Sequence, residues 1–327
     1  MRILITGGAG FIGSHLAASF QGEAEVRILD DLSTGAAANL SGLAVDLEQG
    51  SILDPEALGE AMEGVDYVFH LAAMISVPLS VEQPLECEAI NGLGVVRVLE
   101  AAARAGVKKV FFASSAAVYG DNSTAPKTET MLPEPRSPYA ITKLQGEHWC
   151  RFYQETGRVP TAVLRFFNVF GPRQNPQAAY AAAVPIFVEQ ALRGEPLTIY
   201  GDGLQTRDFI FVRDIVAAVR HVTLTPGLTG VRNAGYGGTI TVKALAEKIV
   251  EMAGSASEIR YLPARAGDVK HSQAAVEALA ATGFRPEGSL ETGLSATLAF
   301  FNARLHFRDI KRGNHYCGWP AQRPTPG

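Results

Sequence analysis

Tyr139 and Lys143 stand four residues apart in the run Ser137-Pro138-Tyr139-Ala140-Ile141-Thr142-Lys143. On a helix this spacing sets both side chains on one face, roughly 6 Å apart along the axis. A phenol beside an ammonium is a candidate general base. The neighbouring positive charge favours phenolate and lowers a pKa that is ordinarily about 10. The same spacing also arises by chance in many helices, as an exposed lysine beside a half-buried tyrosine. The pair acquires meaning only from what else the chain carries.

What it carries, at its first residues, is Gly7-Gly8-Ala9-Gly10-Phe11-Ile12-Gly13, with glycines at 7, 10 and 13. The run follows an apolar strand, Arg2–Thr6, and opens a helix, Phe11–Phe20. A backbone built this way turns tightly, approaches a pyrophosphate closely and aims a helix N-terminus at its charge. Asp30 ends the next strand, 17 residues after Gly13. A carboxylate there accepts hydrogen bonds from adenosine ribose hydroxyls and repels a 2′-phosphate, which points to NAD over NADP. Asp31, Ser33, Thr34 and Gly35 continue the turn, within reach of the ribose or phosphates.

The elements needed to position these groups are legible in outline. Strands Arg2–Thr6, Glu25–Asp30, Tyr67–Ala72, Lys109–Ser114 and Thr161–Phe166 alternate with helices Phe11–Phe20, Pro55–Met62 and Gly92–Ala105. Ser137 as N-cap, Pro138 at the first helical position and Gly157 beyond the end delimit a further helix of about 20 residues. Strands alternating with helices imply an α/β, doubly wound parallel sheet. After Gly171-Pro172 the pieces shorten: helix 178–193, strands 197–200 and 209–211, helix 214–224, strand 231–234 and helix 242–253. The expected organisation is a nucleotide-binding domain over 1–172, with segments from about 212–237 returning to it. A smaller α/β substrate domain over 173–312 and a loosely packed tail, 313–327, complete it.

Composition narrows the function classes. The 47% hydrophobic and 19% charged residues are those of a globular enzyme. A net charge of −4 without a long basic run speaks against a nucleic-acid partner. No apolar stretch reaches membrane-spanning length, and the first residues read as a strand instead of a signal peptide. Cys87, Cys150 and Cys317 are odd in number and match no metal spacing, so a reducing, cytoplasmic setting and no metal are expected. His315-Tyr316-Cys317 is too small a set for a metal site. His70 is expected in the core, and Trp149, Phe152 and Tyr153 in core or subunit packing.

With the glycine triad, Asp30, His70-Leu71-Ala72-Ala73, Ser114-Ser115-Ala116-Ala117-Val118-Tyr119-Gly120 and Tyr139 with Lys143 in this order, the chain resembles the extended short-chain dehydrogenase/reductases. Within them it is similar to the nucleotide-sugar 4-epimerases, over roughly residues 1–310. The resemblance implies a Rossmann domain with tightly held NAD, a smaller domain for a UDP-sugar, and a homodimer through helices 92–105 and 139–157. It implies that Ser51, Ile52, Leu71, Ala72, Ala73, Asn91 and Val169 join Gly7, Gly10, Phe11, Ile12, Gly13 and the Asp30–Gly35 turn around NAD. Ser51 stands where the family often has an aspartate contacting adenine.

The implied chemistry uses Tyr139 to remove the proton from the sugar's 4-hydroxyl while hydride leaves carbon 4. Lys143 holds the nicotinamide ribose, and Ser115 bonds the same hydroxyl. The 4-keto sugar then turns and takes the hydride back on its other face. Related dehydratases and decarboxylases carry an acid just after the serine or threonine; here Ala116-Ala117 offers no proton.

On the sugar side the resemblance implies Asn168, Arg207 and Arg265 for the diphosphate and Asp268 for the uridine ribose, with Ser76, Val184 and Tyr200 also lining the pocket. Ser272 falls where glucose- and galactose-restricted relatives have a large aromatic. A serine leaves room for a 2-N-acetyl group, so the expected substrates are UDP-GlcNAc/UDP-GalNAc and/or UDP-Glc/UDP-Gal. Two readings compete: a UDP-glucuronate 4-epimerase, and a non-catalytic NAD-sensing regulator. The regulator could lose Tyr139 or Lys143 at no cost, and this chain has both.

Overall fold

The structure is a computed structural model that describes residues 1–177, 182–264 and 270–311, with side chains up to 306. Its first half runs β1 (Arg2–Thr6), α1 (Phe11–Ser19), β2 (Glu25–Asp30), β3 (Asp46–Gln49), α2 (Pro55–Ala61) and β4 (Tyr67–His70). It continues through α3 (Val77–Glu82), α4 (Pro84–Cys87), α5 (Gly94–Arg104), β5 (Lys109–Ser115), α6 (Pro138–Glu155) and β6 (Thr161–Phe166). The second half holds β7 (Asn168–Phe170), α7 (Ala183–Arg193), β8 (Leu197–Tyr200), β9 (Thr206–Arg207), β10 (Phe209–Phe211) and α8 (Val212–Leu224). After these come β11 (Gly230–Ala234), β12 (Ile240–Thr241), α9 (Val242–Met252), β13 (Ile259–Leu262), α10 (Glu277–Ala280) and α11 (Leu290–Lys311).

Seven strands form one parallel sheet in the order β11-β6-β5-β4-β1-β2-β3. The strand order reverses beside β1, the switch point at which sheets of this kind take a ligand outside the carboxyl ends of their strands. The pleat sends alternate residues to opposite faces. Ile3 and Ile5 face a core with Leu16 and Phe20 from α1 and Ile215 and Val219 from α8. Leu4 faces the other core, with Leu58 of α2, Val98 and Leu99 of α5 and Tyr153 of α6. Both α8 and β11, from the 212–237 stretch, therefore lie with the first sheet. A third core gathers Val184 and Phe187 of α7, Leu197 and Ile199 of β8, Leu245 and Ile249 of α9, and Leu294 and Leu298 of α11.

The chain ends its elements where its cap chemistry dictates. Ser137 accepts from Ala140 N at 3.2 Å, and Pro138 occupies the first turn of α6. The fourth strand stops at His70, because Leu71 begins the loop against the glycine turn. Helix α5 opens at Gly94, two residues later than expected, because Glu88–Leu93 form a π-helical turn before it. Residues 178–181 of the expected helix 178–193 lie outside the described residues; the described helix begins at Ala183. No helix among the described residues is long and apolar enough to cross a membrane.

Candidate active site

The glycine turn is shaped by close approach. Gly7 has φ +72°, and a Cβ there would sit 2.7 Å from Ala72 N. A Cβ on Gly13 would lie 2.3 Å from Gly7 O. The turn therefore admits only glycine, and it leaves the start of α1, capped by Gly10, open to a ligand. Asp30, buried at the end of β2, accepts from Ala9 N at 2.8 Å and Leu32 N at 2.9 Å. Burial raises its carboxyl pKa, and those two N–H groups pull it back. Gly35 packs against this carboxylate; Asp31 accepts from Ser33 N and Oγ at 2.9 and 2.6 Å. Thr34 is exposed beside them, and Phe11 and Ile12 are partly buried in the first turn of α1.

Three further segments close around this turn. Leu71 N donates to Thr6 O at 3.0 Å, which lays Leu71, Ala72 and Ala73 along the glycine loop. Ser51 Oγ accepts from Leu53 N at 3.2 Å, and the Ile52 side chain is in the core, against Gly94. Asn91 is buried and spends its amide on the protein: Oδ1 accepts from Met74 N at 2.8 Å, and Nδ2 donates to Met74 O at 3.0 Å and Thr142 Oγ1 at 3.3 Å. It ties the loop after β4 to the helix that carries Tyr139. Val169, in β7, is partly buried between two cores.

Ser115 at the end of β5 and Tyr139 and Lys143 on α6 come together at the carboxyl end of the sheet. Lys143 is buried, donates to Ala113 O at 2.9 Å, and lies 5.7 Å from the Tyr139 ring centroid and 5.1 Å from that of Phe112. The expected lowering of the phenol by Lys143 is not what this geometry produces. Burial raises the Tyr139 pKa above its ordinary value, and the Ser115 hydroxyl pulls it back. Burial also holds Lys143 down, to about 8. The two groups share one desolvated site, so each resists its charged form. His70 is a core residue, as expected; burial and then the Lys143 charge push it down to about 3, so it is neutral. It shares a 2.8 Å hydrogen bond with Thr6 Oγ1 and stacks on Phe112.

The sugar-side residues sit on shorter pieces. Asn168 Nδ2 donates to Asp208 O at 3.1 Å, and Arg207 lies next to that residue in β9. Ser272 N donates to Thr206 O at 3.1 Å, so Ser272 and Arg207 occupy facing segments. Tyr200 ends β8, its carbonyl taken by Gln205 Nε2 at 2.8 Å. Ser76 caps α3, accepting from Leu79 N at 3.2 Å. Val184 is packed fully inside the third core. Arg265 and Asp268 lie outside the described residues.

A strand-turn-helix glycine cradle, an acid at the end of the second strand and a Ser-Tyr-Lys cluster at the carboxyl end of the sheet are the arrangement that known proteins then match. The family model for NAD dependent epimerase/dehydratases matches residues 3–235. The chain belongs to this family. A UDP-glucose 4-epimerase of Mycolicibacterium smegmatis is 36% identical over 309 residues, covering 92% of this chain and 98% of the relative. The UDP-N-acetylglucosamine 4-epimerase from Methanobrevibacter ruminantium, solved with UDP-N-acetylmuramic acid, superposes with a TM-score of 0.89. It is 37% identical, over 93% of this chain and 98% of that one. The Thermus thermophilus UDP-glucose 4-epimerase complex with NAD has a TM-score of 0.86 at 36% identity, over 92% and 99% of the two chains.

Two supports of this epimerase/dehydratase site escape a motif reading. Glu147, one turn beyond Lys143 on α6, receives both forks of Arg165 at 2.9 and 2.7 Å, and Ser114 Oγ at 2.5 Å. Arg165 NH1 donates to Tyr119 OH at 2.9 Å, which donates to Asn233 Oδ1 at 2.7 Å. All five groups are buried, and together they clamp α6 to β5 and β6 beside Ser115. The i+4 spacing from Lys143 to Glu147 was the available signal. The second support is Asp208, fully buried. Its carboxylate accepts from Tyr236 N at 2.8 Å and from Gly237 N and Ala274 N at 3.0 Å. It staples the Arg207 segment to the segment that carries Ser272.

Proposed function

We propose that this chain interconverts UDP-hexoses at carbon 4, with UDP-GlcNAc/UDP-GalNAc and UDP-Glc/UDP-Gal as its substrate pairs. The observation that carries the reading is a Ser115-Tyr139-Lys143 cluster with no acid beside it: Ala116 and Ala117 follow the serine. Inversion at carbon 4 needs a proton moved at one hydroxyl and none at carbons 5 or 6. The cradle fits a dinucleotide, since Gly7 and Gly13 clear the space a Cβ would fill and Asp30 stands at the ribose end. NAD, when bound, supplies the acceptor and donor of hydride at carbon 4.

The remaining work belongs to side chains. Ser115 holds the 4-hydroxyl, and Tyr139, in its phenolate form, takes that proton to become the neutral phenol and later returns it. Lys143 keeps most of its charge near neutral pH, holds the nicotinamide ribose and opposes the burial that keeps the phenol protonated. Residues 1–172, with 212–237, hold the dinucleotide; residues 173–312 hold the UDP-sugar. Asn168, Arg207 and Arg265 bind the diphosphate, because guanidinium forks match phosphate oxygens. Asp268 takes the uridine ribose, Ser76 and Tyr200 line the pocket, and Ser272 leaves room for the N-acetyl group.

A homodimer is part of the reading. Val81, Leu85, Ile141 and Phe152 are apolar and exposed on the neighbouring elements α3, α4 and α6. A particle of twice the 34.8 kDa chain mass in sedimentation checks this. For the substrate, the protein is incubated separately with UDP-Glc, UDP-GlcNAc and UDP-GlcA and the products are separated. Carbon-4 epimers of the first two are expected; conversion of UDP-GlcA alone would overturn the assignment. Ser272→Tyr should lose the N-acetylated sugar and retain UDP-Glc; equal use of both would refute the pocket-size argument.

A further inference from the structure

A groove lined by basic residues lies apart from the described residues assigned above. An open groove of about 860 Å³ runs between α1, α8 and α11 and is bounded by the Pro172-Arg173 turn. None of the described residues assigned above to dinucleotide or sugar lines it. The chain as a whole is acidic, yet the groove carries Arg173, Arg213, Arg220, His15 and His221 and no carboxylate among its described lining residues. Its volume lies in the range that holds small organic molecules, and concave sites of this kind pair an apolar wall with a few convergent polar groups.

The cations differ in how far they are already committed. Arg220 is spent: it donates to Ser19 O and pairs with Glu23. Arg173 is partly buried and holds a backbone φ of +67°, a region that costs a non-glycine residue energy. One of its nitrogens donates to Ser14 O at 3.0 Å, which pins the guanidinium against α1 and leaves the rest of the fork available. Arg213 is exposed, stands 5.7 Å from the Phe211 ring, and has no carboxylate partner among the described residues. His15 lines the same groove. Its Nε2 donates to Pro172 O at 2.8 Å, since a carbonyl can only accept. Burial, and then the charges of Arg173 and Arg213, push this imidazole down to about 4. Leu224 and Phe300 supply apolar wall.

We propose that this groove binds a soluble organic phosphate monoester, its phosphate on the forks of Arg173 and Arg213 and its apolar body against Leu224 and Phe300. Guanidinium groups from two elements line the same groove, and their forks match the oxygens of a phosphate. An apolar wall beside them selects a phosphate with a body over the bare ion.

The test uses the NAD-loaded protein with UDP at saturation, so that the proposed UDP-sugar site already holds its own anion. Phenyl phosphate and inorganic phosphate are titrated separately by calorimetry. One equivalent of phenyl phosphate binds, more tightly than inorganic phosphate, and Arg213→Gln weakens it about tenfold or more while leaving UDP-sugar turnover unchanged. In parallel, the NMR titration midpoint of His15 rises on adding phenyl phosphate to the parent protein and does not in the variant. Absence of binding once UDP fills that site, equal affinity in Arg213→Gln, or capture by anionic phospholipid vesicles without binding of phenyl phosphate would each overturn the proposal. The readout is binding, so it stands or falls separately from the epimerase reading.

Discussion

The glycine-turn region of this molecule and the region around Arg207 and Ser272 are held together by different means. Around the glycine turn, recognition is built from backbone: a left-handed Gly7, a helix start at Gly10 and strand ends in a single parallel sheet. Around Arg207 and Ser272, the pieces are two- and three-residue strands, and one buried carboxylate, Asp208, gathers three N–H groups from two other segments. The first region has little freedom to change without losing its ligand. The second can change one side chain and leave its frame intact. Under the proposed function, fixed chemistry and adjustable selectivity would thus reside in separate parts of one fold.

The largest effect that separates the regions should come from Tyr139→Phe. Removing a positioned acid-base group costs on the order of 10²–10⁴ in rate. UDP-sugar interconversion should fall by that factor while NAD binding, followed by fluorescence, stays near parental. Near-normal turnover would remove Tyr139 from the chemistry. Next comes Asp208→Ala. It leaves three buried N–H groups without their acceptor, at a cost of about 3 kcal/mol in stability. The Michaelis constant for the UDP-sugar should rise about tenfold with NAD affinity retained. Loss of NAD affinity instead would show that the two regions are not separable.

The most informative effect concerns Lys143. Its folded pKa of about 8 lies below the ordinary 10.5, chiefly through burial. Between those values the unfolded chain binds more protons than the folded one, so stability rises with pH through that window. Below about pH 8 the buried charge is destabilising by up to about 3 kcal/mol. Lys143→Met should therefore raise the urea midpoint at pH 7 and have much less effect at pH 10. An equal shift at both pH values would contradict the assigned burial penalty.

The contrast also explains what could be read from residues alone. Glycines at 7, 10 and 13, Asp30 and the capped helix after Ser137 were legible because each follows from a local backbone requirement. The strand Asp46–Gln49 was not, since it lies at the sheet edge with mostly exposed side chains and no apolar alternation. Helix α11 went unread although Leu290, Leu294, Leu298 and Phe301 recur at helical spacing. Asp208 and the Glu147-Arg165 clamp depend on partners far along the chain, which no local pattern displays. The reversal at Tyr139 has the same origin: spacing places a lysine beside a phenol, but only the packed structure shows that burial dominates and raises the phenol's pKa.

The central claim is that hydride leaves and returns at one carbon while Tyr139 moves one proton. UDP-GlcNAc carrying deuterium at carbon 4 tests it most directly. The account predicts that the product is the carbon-4 epimer with the deuterium still on carbon 4. Loss of the label to solvent, or recovery of a product altered at any other carbon, would contradict it.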